Sequence, residues 1–204
     1  MSSSGLSINT PIDSQKIDLA IKELASSRFL DRIGSKDASI WSDDPNVQKS
    51  IDNRLGWLDA PLRAQSILPT LQKSLTGRAV EGFSDLLFLG MGGSSAFARI
   101  LEGNPSLHGP EGLKIKVLDS LNPDQVDENL ALMESPNTLI LVGSKSGTTV
   151  ETLNLARIAE SKGACGRMIA LTDPGSPLEK HAQDHGYRAT FLSWADIGGR
   201  FSPL

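Results

Sequence analysis

Five short apolar runs, at 86–89, 115–118, 139–142, 168–171 and 189–192, alternate with stretches that carry helix-start signals near Ser94, Asn122, Thr148 and Ser176. The run at 139–142 is too short for a helix and apolar on both faces, as a parallel strand covered on both sides must be. This alternation predicts an α/β fold, a five-stranded parallel sheet flanked by helices. Asn122-Pro123 is a cap followed by proline at the first helical position, and Gly163 is placed to end the helix that opens at Thr148. With the flavodoxin-like strand order 2-1-3-4-5, strands one and three are neighbours whose helices leave toward opposite faces, and a crevice opens at their carboxyl ends.

The sequence before this alternation is of a different kind. Residues 1–13 are rich in serine and lack a period, which reads as a flexible leader. Ile17, Ile21 and Leu24 then follow a helical spacing behind Asp13 or Ser14. Asp44-Pro45 opens a second helix along Val47, Ile51 and Leu55 that should stop at Gly56. A third runs from Pro61 to Leu75, kinked or broken at Pro69 and ended by Gly77. The expected organisation is a leader over 1–13, a helical N-terminal segment over 14–77 and the α/β domain over 78–204.

Composition narrows the function. The 20 Lys and Arg against 24 Asp and Glu give a net charge of -4 with no basic run, which argues against nucleic acid as a partner. Cys165 is the single cysteine, so an intramolecular disulfide and every multi-cysteine metal site are excluded. No apolar stretch approaches the roughly 18 to 20 residues of a spanning helix, and residues 1–5 do not open a signal sequence. The expectation is a cytoplasmic protein with no membrane partner.

Two loops at the predicted crevice carry the chemistry. After the third strand, Ser144, Ser146, Thr148 and Thr149 put four hydroxyls within six residues, beside Gly143, Lys145 and Gly147, and a helix begins at once. Such a helix start offers unpaired N–H groups and a partial positive charge to an anion. Thr148 and Glu151 also have the spacing of a capping box, the alternative in which the loop binds nothing. After the first strand, Gly90-Met91-Gly92-Gly93-Ser94-Ser95 is a second glycine-rich turn onto a helix. It lacks the ending of a nucleotide-triphosphate loop. Against the dinucleotide fingerprint it has Ser95 where the third glycine belongs, and Asp119 stands late for a ribose-binding acid. Two helix starts and several hydroxyls in one crevice suit a sugar phosphate better. Thr172-Asp173-Pro174-Gly175-Ser176 reads as a turn capping the next helix. His181 and His185 have the spacing of a metal pair, but no third ligand is apparent, so a solvated helix face and no metal are expected. Asp196-Ile197-Gly198-Gly199-Arg200 delivers an arginine to the same edge, suited to a developing oxyanion.

Taken in order, the motifs at 90–95, 144–152, 172–176 and 198–202 resemble those of the first sugar-isomerase (SIS) domain of the glucose-6-phosphate isomerases. The stretch from Lys36 to Pro61 further resembles the isomerase half of fused transaldolase and glucose-6-phosphate isomerase enzymes, and the leader would fit a linker after a transaldolase portion. The resemblance implies that Gly93, Ser94, Ser144, Lys145, Ser146, Gly147, Thr148 and Thr149 hold the phosphate of a hexose 6-phosphate, for which phosphate or sulfate can substitute. Lys145 would contribute chiefly its backbone N–H. Arg200 would be the catalytic arginine that steadies the enediolate formed as a proton moves between C2 and C1.

The family's glutamate base, and the histidine and lysine that open the sugar ring, lie beyond the Gly-Gly-Arg motif, and this sequence continues four residues past Arg200. The expectation is thus the phosphate-binding portion of an isomerase, with no cofactor. A second SIS domain and a C-terminal segment would cover part of this one, and apolar area left bare would drive homo-oligomer formation. Two rival readings stay open: a non-catalytic sugar-phosphate-binding SIS module, and a dinucleotide-binding Rossmann domain.

Overall fold

The structure is a computed structural model that describes residues 13–74, 82–108 and 112–198. Two compact units divide at Asp52 and Asn53. In the first, α1 (Ser14–Ser26) starts behind Asp13, whose carboxylate accepts from the Gln15 N–H at 2.9 Å. Arg28, at φ +53°, turns the chain into the short α2 (Phe29–Gly34), which the apolar spacing does not predict. Asp44 accepts from the Asn46 N–H at 2.8 Å and opens α3 (Pro45–Asp52). That helix stops short of the expected Gly56, because Leu55 is used elsewhere.

The second unit holds α4 (Ala60–Ser74), which runs continuously through Pro69, and the sheet. Its strands are β1 (Asp85–Gly90), β2 (Lys114–Leu118), β3 (Thr138–Gly143), β4 (Met168–Thr172) and β5 (Ala189–Leu192). All four pairings are parallel and the order is β2-β1-β3-β4-β5, as the flavodoxin-like pattern requires. Between the strands lie α5 (Gly93–Glu102), α6 (Pro123–Glu134), α7 (Val150–Ser161) and α8 (Pro177–Asp184).

The two-residue period of a strand sends neighbouring side chains to opposite faces. Leu87, Leu89, Ile140 and Val142 therefore pack with Met133 of α6, Leu155, Ala156 and Ala159 of α7, and Leu178 and Ala182 of α8. Phe88 and Val117 face the other way, onto Ala98 of α5. Local capping matches the sequence signals closely. Asn122 accepts from the Asp124 N–H at 2.9 Å, Ser176 accepts from the Glu179 N–H at 3.1 Å, and Gly163, at φ +74°, ends α7 with Ala164 N–H donating back to the Ala159 carbonyl. Arg167 donates to the carbonyls of Met133 and Thr138 at 2.8 and 2.7 Å, which satisfies the end of α6 and ties it to β3.

Candidate functional site

The strand order sets β1 beside β3 with Gly90 opposite Gly143, and their helices α5 and α7 lie on opposite faces of the sheet. The chain therefore parts at the carboxyl ends of these two strands, where the crevice forms. Glycine is required at both positions by Phe88. A Cβ on Gly90 would stand 2.6 Å from its ring, and one on Gly143 2.5 Å. Ser94, Ser144 and Lys145 meet at a cleft also lined by Gly143, Leu171, Thr172 and Ser193. The cleft itself admits little more than a water-sized molecule, so a larger ligand has to lie across its mouth.

Within the loop, buried Ser144 donates to the Thr149 hydroxyl at 3.2 Å, and the Ser146 and Thr148 hydroxyls lie 2.9 Å apart. Thr172 Oγ1 donates to the Ser144 carbonyl at 2.7 Å, which fastens the loop to β4. The helix starts at Val150 and not at Thr148. Thr149 is its N-cap and makes no side-chain capping hydrogen bond. The capping box read from Thr148 and Glu151 is corrected here: the start has slid, Glu151 falls at the second helical position, and the third is the buried Thr152. The first turn of α7 is left with N–H donors and a partial positive charge facing a cluster of hydroxyls.

The Lys145 side chain turns away from its own loop. Its ammonium pairs with Asp173 and donates to the Ala195 carbonyl at 3.2 Å, while the Ser193 hydroxyl donates to the other Asp173 oxygen at 2.8 Å. Asp173 thus joins the loops after β3, β4 and β5. Sequence reasoning assigns the residue to a helix-capping turn and misses this tie. The available signal is a lysine and an aspartate at the carboxyl ends of adjacent strands. Asp119 follows β2 at the same edge, but Arg99 grips its carboxylate through two nitrogens and the Ser95 hydroxyl lies 3.3 Å away. Chiefly through the Arg99 bonds, its carboxyl is held below the ordinary range. An acid committed in this way is poorly placed to receive a ribose, which counts against the dinucleotide reading. Gly93 and Ser94 lie in the first turn of α5 at the crevice. Arg200 lies outside the described residues.

Comparison with known proteins identifies the family of the chain that carries these loops. The phosphoglucose isomerase family model matches residues 25–204. The chain belongs to the phosphoglucose isomerase family. It is 33% identical over 138 residues to the glucose-6-phosphate isomerase of Desulfitobacterium hafniense, covering 64% of this chain and 26% of that protein. The enzyme of Nostoc sp. is 34% identical over 164 residues, 71% of this chain and 31% of the relative. Among solved structures, a glucose-6-phosphate isomerase from Chlamydia trachomatis superimposes with a TM-score of 0.58 at 25% identity, over 83% of this chain and 32% of that one. A hypothetical protein from Thermus thermophilus shares the fold, with a TM-score of 0.67 at 23% identity over 91% and 43% of the two chains. The chain spans about a quarter to a third of the length of the curated phosphoglucose isomerases it matches.

In this member of the phosphoglucose isomerase family, the approach to Arg200 is braced by residues far away in sequence. Leu55 forms an antiparallel bridge with Ile197, and the Gly56 N–H donates to the Asp196 carbonyl at 2.9 Å. Arg63 of α4 holds the Asp196 carboxylate with two hydrogen bonds, of 2.7 and 2.6 Å, and its guanidinium lies 5.4 Å from the centre of the Trp194 ring. Residues 55–74, read from the sequence as part of the helical N-terminal segment, lie in the compact unit that holds the sheet. Both side chains of the ion pair keep about a third of their surface exposed. Arg63→Met should therefore destabilise the second unit by about 1 to 2 kcal/mol, between the values for exposed and buried pairs. Urea unfolding measures this, and an unchanged midpoint would mean that water replaces the guanidinium without loss.

Proposed function

We propose that Ser144, Lys145, Ser146, Gly147, Thr148 and Thr149, with Gly93 and Ser94 across the cleft, hold the phosphate of glucose 6-phosphate or fructose 6-phosphate. On this reading the chain is the substrate-phosphate-binding portion of a glucose-6-phosphate isomerase. The observation that carries it is the start of α7, whose N-cap Thr149 makes no side-chain capping bond and stands among four hydroxyls. A phosphate there would accept from first-turn N–H groups and hydroxyls together, with the helix end supplying partial positive charge. Pairing of the Lys145 ammonium with Asp173 supports a role for Lys145 through its backbone. By family membership Arg200 would steady the enediolate during the transfer between C2 and C1, as a permanently charged donor. Exposed Phe97 and Ile100 on α5 favour association with a further domain or a second copy.

Calorimetry with glucose 6-phosphate tests the assignment. Changing Ser144 and Thr149 together to Ala removes hydrogen bonds to a charged group worth about 1.5 to 3 kcal/mol each, so affinity should fall at least about tenfold. Unchanged binding by a folded double variant would place the phosphate elsewhere. A parallel titration with NAD should show no comparable binding.

A further inference from the structure

His181 on α8 and His185 at its C-cap stand four residues apart, the spacing that brings two imidazoles to one side of a helix. A third group comes from the neighbouring helix. Glu160, in the last turn of α7, places Oε1 2.6 Å from His181 Nε2, and one ligand atom from each of the three residues lies within 4.8 Å of the others. We propose that Glu160, His181 and His185 form a binding site for a divalent transition-metal ion of the zinc type, which joins the ends of α7 and α8.

The hydrogen bonds around the cluster are those of a supported ligand set. His185 Nδ1 lies 2.9 Å from the His181 carbonyl oxygen, which can only accept, so Nδ1 is the donor there and, in the neutral ring that a metal takes, Nε2 is the nitrogen with the lone pair. Metal-binding histidines are commonly fixed through the second ring nitrogen in this way. Tyr187 donates its phenol proton to Glu160 Oε1 at 2.6 Å, an outer contact that orients the carboxylate. Burial first, and then Glu160 itself, hold the phenol above its ordinary range, so it remains a donor. Burial works against ionisation of Glu160, but the bonds from Tyr187 and His181 outweigh it and keep the carboxyl below its usual range. The nearby Asp184 is paired with Lys180 at 2.6 Å.

Chelation requires small movements. The His181 and His185 rings stack with centroids 3.9 Å apart and planes 21° from parallel, so His185 has to tilt about its Nδ1 contact to turn Nε2 toward the other two ligands. That ring is exposed at the helix end, where side chains reorient freely. The ion then takes the place of the proton between Glu160 and His181. Two imidazoles and a carboxylate are a donor set that zinc accepts, with a fourth position left to water. Glu160 lies roughly 16 Å along α7 from Thr149, by the helical rise of about 1.5 Å per residue. The ion would therefore act as a staple between helices, remote from the hydroxyl loop and independent of the sugar-phosphate reading.

The test titrates the 204-residue chain with zinc alone, in competition with a chromophoric chelator, and follows thermal unfolding in parallel. Cys165→Ser is used as the background, which removes the single competing thiol. One equivalent should bind and raise the unfolding midpoint, since an ion held by the folded state stabilises it. His185→Ala and Glu160→Gln should each weaken binding by at least about tenfold, and Tyr187→Phe by about 10- to 100-fold. His185→Ala is exposed and should leave the metal-free midpoint close to that of the parent, so its effect is not one of misfolding. Absence of saturable zinc binding, or binding equal in the parent, His185→Ala and Glu160→Gln, would overturn the proposal.

Discussion

Given fructose 6-phosphate in a coupled assay, the 204-residue chain is expected to bind the sugar without converting it. Moving a proton between C2 and C1 needs a base within hydrogen-bond reach of both carbons, and such a group contributes a factor of about 100 to 10,000. Three of the carboxylates described at the carboxyl edge of the sheet are already engaged. Asp119 is held by Arg99, Asp173 by Lys145 and Ser193, and Asp196 by Arg63, so each is already committed to a cation. Glu151 is exposed at the second position of α7. His181 lies on α8 and His185 at its C-cap, beside Glu160 in the last turn of α7, and Arg200 stays protonated and cannot act as a base. Turnover in the usual enzyme range of about 1 to 1,000 per second, with host isomerase excluded, would show that a base is present after all. Glu151→Gln would then be the first substitution to make.

The parts of this fold that are legible in the sequence are those set by local pattern. Every strand lies within a residue of the ends that its apolar run predicts, because such a run between turn signals has few alternatives in a covered parallel sheet. The crevice is legible as well, since glycines and hydroxyls after the first and third runs fall together once those strands are neighbours. What fails depends on partners distant in the chain. Leu55 fits the helical spacing of Val47 and Ile51, yet it is buried in a bridge with Ile197, and α3 ends early to release it. Arg63 and Asp196 are 133 positions apart, and no periodicity joins them. Pro69 reads as a kink or break, but it removes only one N–H donor, and α4 continues through it. The capping box misplaces the start of α7 because loop hydroxyls bond to one another as readily as to a helix end.

Gly147→Ala is expected to cost about 2 to 6 kcal/mol, a large part of the stability of a domain that has about 5 to 15 in all. Two effects add at this position. Gly147 sits at φ +66°, where a side chain is strained by about 1 to 3 kcal/mol. A Cβ there would also lie 2.7 Å from the Leu178 backbone nitrogen and 3.0 Å from the Ser176 side chain. The helix backbone cannot yield as a flexible side chain would, and overpacking of this kind costs about 1 to 3 kcal/mol more. Ser176 caps α8 and bonds to Thr172, which in turn holds the Ser144 carbonyl, so relief of the clash pulls on the hydroxyl loop itself. Gly163→Ala separates the two causes. Gly163 has a comparable φ of +74° but no heavy atom within 4 Å of an added Cβ, so that variant pays only for its backbone conformation. Denaturant midpoints of the two variants, measured side by side, should differ by about the overpacking energy of 1 to 3 kcal/mol. Equal losses would mean that the loop after β3 and the start of α8 move apart freely, and the proposed phosphate site would then lack the rigid support that its hydrogen bonds imply.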